Sequence, residues 1–153
     1  SLDVCEVSEK PVFDTHALAK GAGMGARGTA DEVFEAIADT GGVIGLLSST
    51  HLPDIETYME HFEYVVDLIG IDHVAFGPDV LYGDHTELLR VLSSFHGMEL
   101  PESTLQSEYV DGLENPTEAW QNIPRWLVAN GYSDEEIRKV LGGNVLRVLE
   151  QVW

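Results

Sequence analysis

The chain has 153 residues, 44% hydrophobic and 23% charged, the balance of one globular domain rather than of a disordered or fibrous protein. Its 27 acidic against 8 basic residues give a formal charge of −19, which makes nucleic acid and anionic membrane poor partners by long-range repulsion. No apolar run reaches the roughly 18 residues of a transmembrane span, the start SLDVCEVSEK lacks the pattern of a signal peptide, and a cytoplasmic setting is expected.

In chain order, the lone Cys5 comes first; it excludes an internal disulfide and a thiolate metal cage and is expected to be a small buried hydrophobe. PVFDT (11–15), GGVIGLLS (41–48) and DHVAFGP (72–78) are short runs rich in Val, Ile and Phe, bounded by Gly, Pro or polar residues, as buried parallel strands are. Between the first two, Thr29-x-x-Glu32 reads as a capping box for a helix whose apolar face is Val33, Phe34, Ile37 and Ala38. A longer helix starts at Asp54, carries Ile55, Met59, Phe62, Val65, Val66 and Ile69 on its apolar side, and ends at Gly70. Beyond the third strand the pattern is mainly helical: about 85–96, then a polar connection over 97–114, then a helix opened by Asn115-Pro116. Ser133-x-x-Glu136 marks a further capping box, and Ile137, Val140, Leu141, Val145, Leu146, Val148, Leu149 and Val152 form an apolar stripe around Gly142-Gly143. The order β-α-β-α-β predicts an α/β fold with a parallel sheet, either an open doubly wound sheet or part of a (β/α) barrel. In both, function gathers where strands end.

Three residues stand at or near such ends: His16 after the first run, Arg27 on the loop that follows it, and Asp79 after the third. The same loop contains GMGARG, which satisfies G-x-G-x-x-G. A dinucleotide fingerprint, however, places its first glycine directly after the strand and an acidic residue at the close of the next strand. Here residues 17–22 separate His16 from the first glycine, Gly23, and the second strand ends in LLSST, so the glycines are read as letting the loop fold back over the sheet end. Taken singly, His16 reads as a hydrogen-bonded structural residue, Arg27 as a surface charge and Asp79 as a turn former. Converging on one pocket, they suit metal-assisted hydrolysis, with the His on a metal, the Asp moving a proton and the Arg on an anionic substrate group.

The segments SEKPVFDTH, ADEVFEAIADTGGVIGL, MEHFEYVVDLIGIDHVAFGPD, GLENPTE and GYSDEEIRKVLGGNVLRVLEQVW, with Arg27 between the first two, together resemble the C-terminal part of the membrane (renal) dipeptidase family. These are zinc enzymes of the amidohydrolase superfamily, and the resemblance keeps segment order over nearly the whole chain, with 80–111 and the glycine loop as its weakest parts. It implies a (β/α)₈ barrel, a two-zinc site and hydrolysis of dipeptides, some members favouring D-residues at the C-terminal position. By position, His16 resembles one of two His ligands on a single zinc, Arg27 the group that grips the substrate carboxylate, and Asp79 the acid that handles the proton. Arg's planar fork suits a terminal carboxylate.

The family's His-x-Asp pair, bridging Glu and other His have no counterparts here, because the chain starts in what resembles the helix before the matched strand. A closed barrel needs roughly 250 residues, so residues 1–153 are read as a single incomplete barrel domain, the C-terminal half of a (β/α)₈ barrel with about three parallel strands (1–79) and a mainly helical tail (80–153). One His does not hold a catalytic zinc, which needs about three protein ligands. His51 and His85 are the candidate substitutes, His73 lies at the wrong strand end, and His61 and His96 are expected at the surface. Trp120, Trp126 and Trp153 are expected to be packing groups of the tail. The expected partners are a dipeptide and either the N-terminal half of the barrel or a second copy. The rival readings are a non-catalytic α/β module pairing through open sheet edges and an acidic cation-binding protein.

Overall fold

The computed structural model of the protein describes residues 2–24, 28–48, 52, 54–79, 85–97, 110, 112–113 and 119–153. Its elements are α1 (Leu2–Val7), β1 (Phe13–Ala17), α2 (Asp31–Asp39), β2 (Val43–Leu46), α3 (Ile55–Ile69), β3 (Val74–Phe76), α4 (His85–His96), α5 (Asn122–Ala129), α6 (Asp134–Arg138) and α7 (Asn144–Val152). The strands form one parallel sheet in the order β1-β2-β3. Parallel neighbours need crossovers, and α2 and α3 supply them. The α/β architecture with three parallel strands and a helical tail is therefore as the apolar runs predict. No helix among the described residues is long and apolar enough to cross a membrane.

Register explains why β2 reads as a continuous apolar run. Ile44 pairs with Val74 and Leu46 with Phe76, and all four residues of β2 are buried, so both faces of the central strand need apolar side chains. One face, with Ile44, Leu46 and Val74, packs on Phe34 and Ile37 of α2 and on Tyr58, Met59, Phe62 and Val65 of α3. Phe76 stacks on Phe62 with ring centroids 5.2 Å apart. The other face, with Val43 and Ala75, packs on Val145 and Val148 of α7.

Helix ends follow local chemistry with one exception. The Asp54 carboxylate accepts the Thr57 N–H at 2.9 Å to start α3, and Gly70 at φ 82° ends it. Ser133 and Glu136 form the reciprocal capping box of α6. The capping box predicted at Thr29 does not form: the N-cap of α2 is Ala30, with no side-chain cap. Thr29 is committed elsewhere, its N–H donated to the Leu18 carbonyl at 2.7 Å and its carbonyl accepting the Lys20 N–H at 2.8 Å.

The tail closes the strand-starting end of the sheet. Gly142, at φ 151°, breaks the chain between α6 and α7, a conformation open to glycine. The buried Asn144 amide then donates to the carbonyls of Ile71 and Val74 at 2.7 and 2.8 Å. Arg147 donates to those of Gly41 and Asp72, each at 2.7 Å. Because the break redirects the helix, the predicted apolar stripe splits: Val140 and Val148 are buried, but Leu141, Leu146 and Val152 are exposed. Trp120 and Trp126 pack against the core as expected. Trp153 does not; it follows the last turn of α7 and is 95% exposed. Cys5 is only partly buried, because α1 lies on the surface with no buried residue. The helix start predicted at Asn115-Pro116 lies outside the described residues.

Candidate active site

The free end of the sheet is where β1 and β3 finish. His16 is the penultimate residue of β1, and Asp79 stands three residues beyond β3. Their side chains meet across the end of β2, His16 Nε2 lying 4.0 Å from Asp79 Oδ2, both more than half or half exposed to solvent. Two backbone features make this approach possible. β1 is irregular between Asp14 and Ala17, and such a bulge re-aims the side chains around it. Gly45 and Gly77 also lie so close to the Thr15 carbonyl oxygen that a Cβ on either would run into it.

The exit from β3 is tied to β2 by the Gly77 N–H donated to Leu46 (3.1 Å) and the Ser48 N–H donated to Pro78 (3.3 Å). Asp79 then takes φ 51°, and among the described residues no other non-glycine has a positive φ. Asp tolerates this conformation at modest cost. A backbone outlier of this kind, held by its surroundings, is a pointer to function.

The His16 ring is oriented by its neighbour: its Nδ1 hydrogen-bonds the Thr15 hydroxyl at 2.8 Å, while the His16 backbone N–H donates to the Asp14 carboxylate at 3.4 Å. Nε2 is thereby the nitrogen presented towards Asp79. When Nδ1 carries the proton, the Nε2 lone pair is available to a metal or to an acid; when both are protonated, the imidazolium pairs with the carboxylate.

Arg27 lies outside the described residues, as does His51. The ends of the Arg27 loop are described: its neck is the double backbone bond between Lys20 and Thr29 and between Thr29 and Leu18. His85 opens α4, and His96 is exposed at its end. His73 bonds the Gly42 carbonyl through Nδ1 at 2.8 Å, at the strand-starting end as expected.

His61 departs from expectation. It is 2% exposed, not a surface residue, and its Nε2 accepts the Ala19 N–H at 2.9 Å. Burial pushes its pKa down to about 4, so the ring is neutral near physiological pH. The signal was present in the sequence: Tyr58, His61, Phe62 and Val65 follow the i, i+3, i+4, i+7 spacing of the buried face of α3.

Among the described residues no three His, Cys, Asp or Glu side chains are grouped to hold a metal ion. His16 has the chemistry of one ligand, with a half-exposed side chain whose Nε2 faces Asp79, and by itself it does not complete a site. Two grooves lie elsewhere, one between Asp72, Arg138, Lys139 and Arg147 at the strand-starting end and one beside Ala75, Leu141 and Leu146; neither includes His16 or Asp79.

Known proteins resemble this chain over its whole length. An uncharacterised protein from the pqqA 5′ region of Klebsiella pneumoniae is 28% identical, covering 99% of this chain and 50% of its own. Dipeptidase tcpJ of Claviceps purpurea is 26% identical, covering 99% of this chain and 32% of its own. The crystal structure of an amidohydrolase from Pseudomonas aeruginosa superposes with a TM-score of 0.82 at 28% identity, over 99% of this chain and 49% of that one. The chain thus spans half or less of these relatives' length. Residues 1–90 and 104–153 match the family described as membrane dipeptidase, peptidase family M19, and the chain belongs to that family.

Proposed function

We propose that this chain is the C-terminal part of a metal-dependent dipeptidase, a single incomplete barrel domain that acts in the cytoplasm once an N-terminal half completes the site. The observation that carries the reading is the 4.0 Å approach of His16 Nε2 to Asp79 Oδ2 at two strand ends of an M19 chain. His16 would hold zinc through Nε2, in a site of two metals whose other ligands come from outside this set of residues. The metal, when bound, polarises the scissile carbonyl and supplies hydroxide near neutral pH.

The chain's own residues have separate tasks. The Asp79 carboxylate, exposed and held by its turn, takes a proton from the attacking water and returns it to the leaving amine. The Thr15 hydroxyl fixes the His16 ring so that Nε2 faces the reaction and Nδ1 does not. Arg27 grips the C-terminal carboxylate of the dipeptide, which orients the peptide bond over the two groups.

The test is hydrolysis of a dipeptide panel by the complete metal-loaded protein, beside the present chain alone. Cleavage by the complete protein with none by the chain is expected; turnover by the chain alone, with tightly bound zinc, would contradict the missing-ligand argument. The alternative, a non-catalytic module that self-associates or pairs with a half-barrel, draws on β1 and β3 each having one unpaired edge in the described sheet. A strictly monomeric species in light scattering would count against it.

A further inference from the structure

His61 is a buried polar group that the proposed chemistry does not use. Its Nε2 accepts the Ala19 N–H at 2.9 Å, which places the proton of the neutral ring on Nδ1. That Nδ1 is buried and has no hydrogen-bond partner among the described residues. An apolar side chain would fill the same place on the face of α3 without orphaning a donor, at a saving in desolvation. What the imidazole adds is an acceptor for one backbone N–H, so the position of that N–H decides what His61 is for.

Ala19 stands at a junction. Upstream, Ala17 belongs to the sheet, its carbonyl accepting the Leu47 N–H at 3.0 Å. Downstream, Lys20 and Thr29 form the neck of the loop that carries Arg27. His16 is therefore held by the ladder, whereas the direction in which the chain leaves β1 depends on Ala19. One turn further along α3, Tyr64 donates its hydroxyl to Asp31 at 2.6 Å, and the same carboxylate accepts the Gly21 N–H at 3.3 Å. α3 thus ties the start of the loop at two successive points, and the His61 contact is the direct one.

We infer that His61 is a positioning residue for substrate binding: by accepting the Ala19 N–H it fixes, where the chain leaves β1, the neck from which the segment carrying Arg27 departs. In its consequence for catalysis this rests on the dipeptidase reading above. The effect falls on KM rather than kcat, because the loop carries the carboxylate-binding group while His16 and Asp79 are held independently.

The test uses the complete, metal-loaded protein with His61→Leu, which removes the acceptor, and His61→Gln, whose amide oxygen reaches as far as Nε2. The expected result is a KM for dipeptides raised about tenfold or more in His61→Leu, with kcat within about threefold of wild type, and a KM restored in His61→Gln. Equal KM in wild type and His61→Leu, or equal losses in both variants, overturns the inference. Where His61→Leu fails to fold, His61→Asn, polar but too short to reach Ala19, takes its place under the same two readings. Amide hydrogen exchange separates this inference from the dipeptidase reading. If the wild type cleaves no dipeptide, faster exchange at Ala19 and Thr29 in the acceptor-less variant still supports the tether, and unchanged exchange at both overturns it.

Discussion

One side chain, His61, makes a contribution to acid destabilisation that can be isolated from the rest. His61 is 2% exposed and its pKa falls from 6.5 to about 4 because burial penalises the charged ring. Above 6.5 neither state binds the proton at this site, so the ring adds no pH dependence to stability. Between 6.5 and about 4 the unfolded chain binds a proton that the folded chain refuses; the unfolded state then holds more protons, and stability rises with pH. Stability is accordingly lost as pH falls through this window, by up to about 1.4 kcal/mol per pH unit and about 3 kcal/mol in total. Urea unfolding of wild type and His61→Gln, compared from about pH 7 to about pH 4, measures it. Asp54, Asp72 and Glu136, held below the usual carboxylate range by Thr57, Lys139 and Ser133 respectively, also lose their contributions in acid, but equally in both proteins. Wild type should lose about 3 kcal/mol more than the variant across the window. Parallel curves would refute the reasoning, since a ring free to charge in the folded state gives no such difference.

Asn144→Ala should lower stability by about 2–3 kcal/mol, because the Ile71 and Val74 carbonyls lose their shared buried donor; an unchanged urea midpoint would deny the amide that role. Gly77→Ala forces a Cβ into the Thr15 carbonyl oxygen and should cost about 2 kcal/mol or more, with changed chemical shifts at His16 and Asp79; a neutral substitution would place the strands further apart than described. Asp79→Asn in the complete protein should lower kcat about a hundredfold or more with metal retained, and unchanged turnover would remove it from proton transfer. Arg27→Met should raise KM at constant metal content, checked by metal analysis beside kinetics, and parallel loss of metal would contradict its place on the substrate.

Some of this molecule follows from sequence alone. The apolar runs specify parallel strands, and GGVIGLLS specifies a buried one because β2 is covered on both faces and has nowhere to put a polar residue; β1, expected to be buried like it, is exposed at Phe13, Thr15 and His16 and buried only at Ala17. Asp54, Gly70 and the Ser133–Glu136 pair set helix ends through contacts a few residues apart, which any reader of the chain can see. The residues at the strand ends were also legible, since parallel strands must present their final residues on one side. Tertiary structure decided the rest, and in each case the deciding partner is distant in sequence. Thr29 gave up its capping role to a bond with Leu18, and His61 went inward because the N–H of Ala19, 42 residues earlier, needed an acceptor. Gly142 redirected α7 onto carbonyls about 70 residues away, exposing Leu141, Leu146 and Val152 of a stripe that periodicity alone would bury. The distance between His16 and Asp79 depended on the closeness of Gly45 and Gly77 to the Thr15 carbonyl, a contact between backbones that no pattern of side chains encodes.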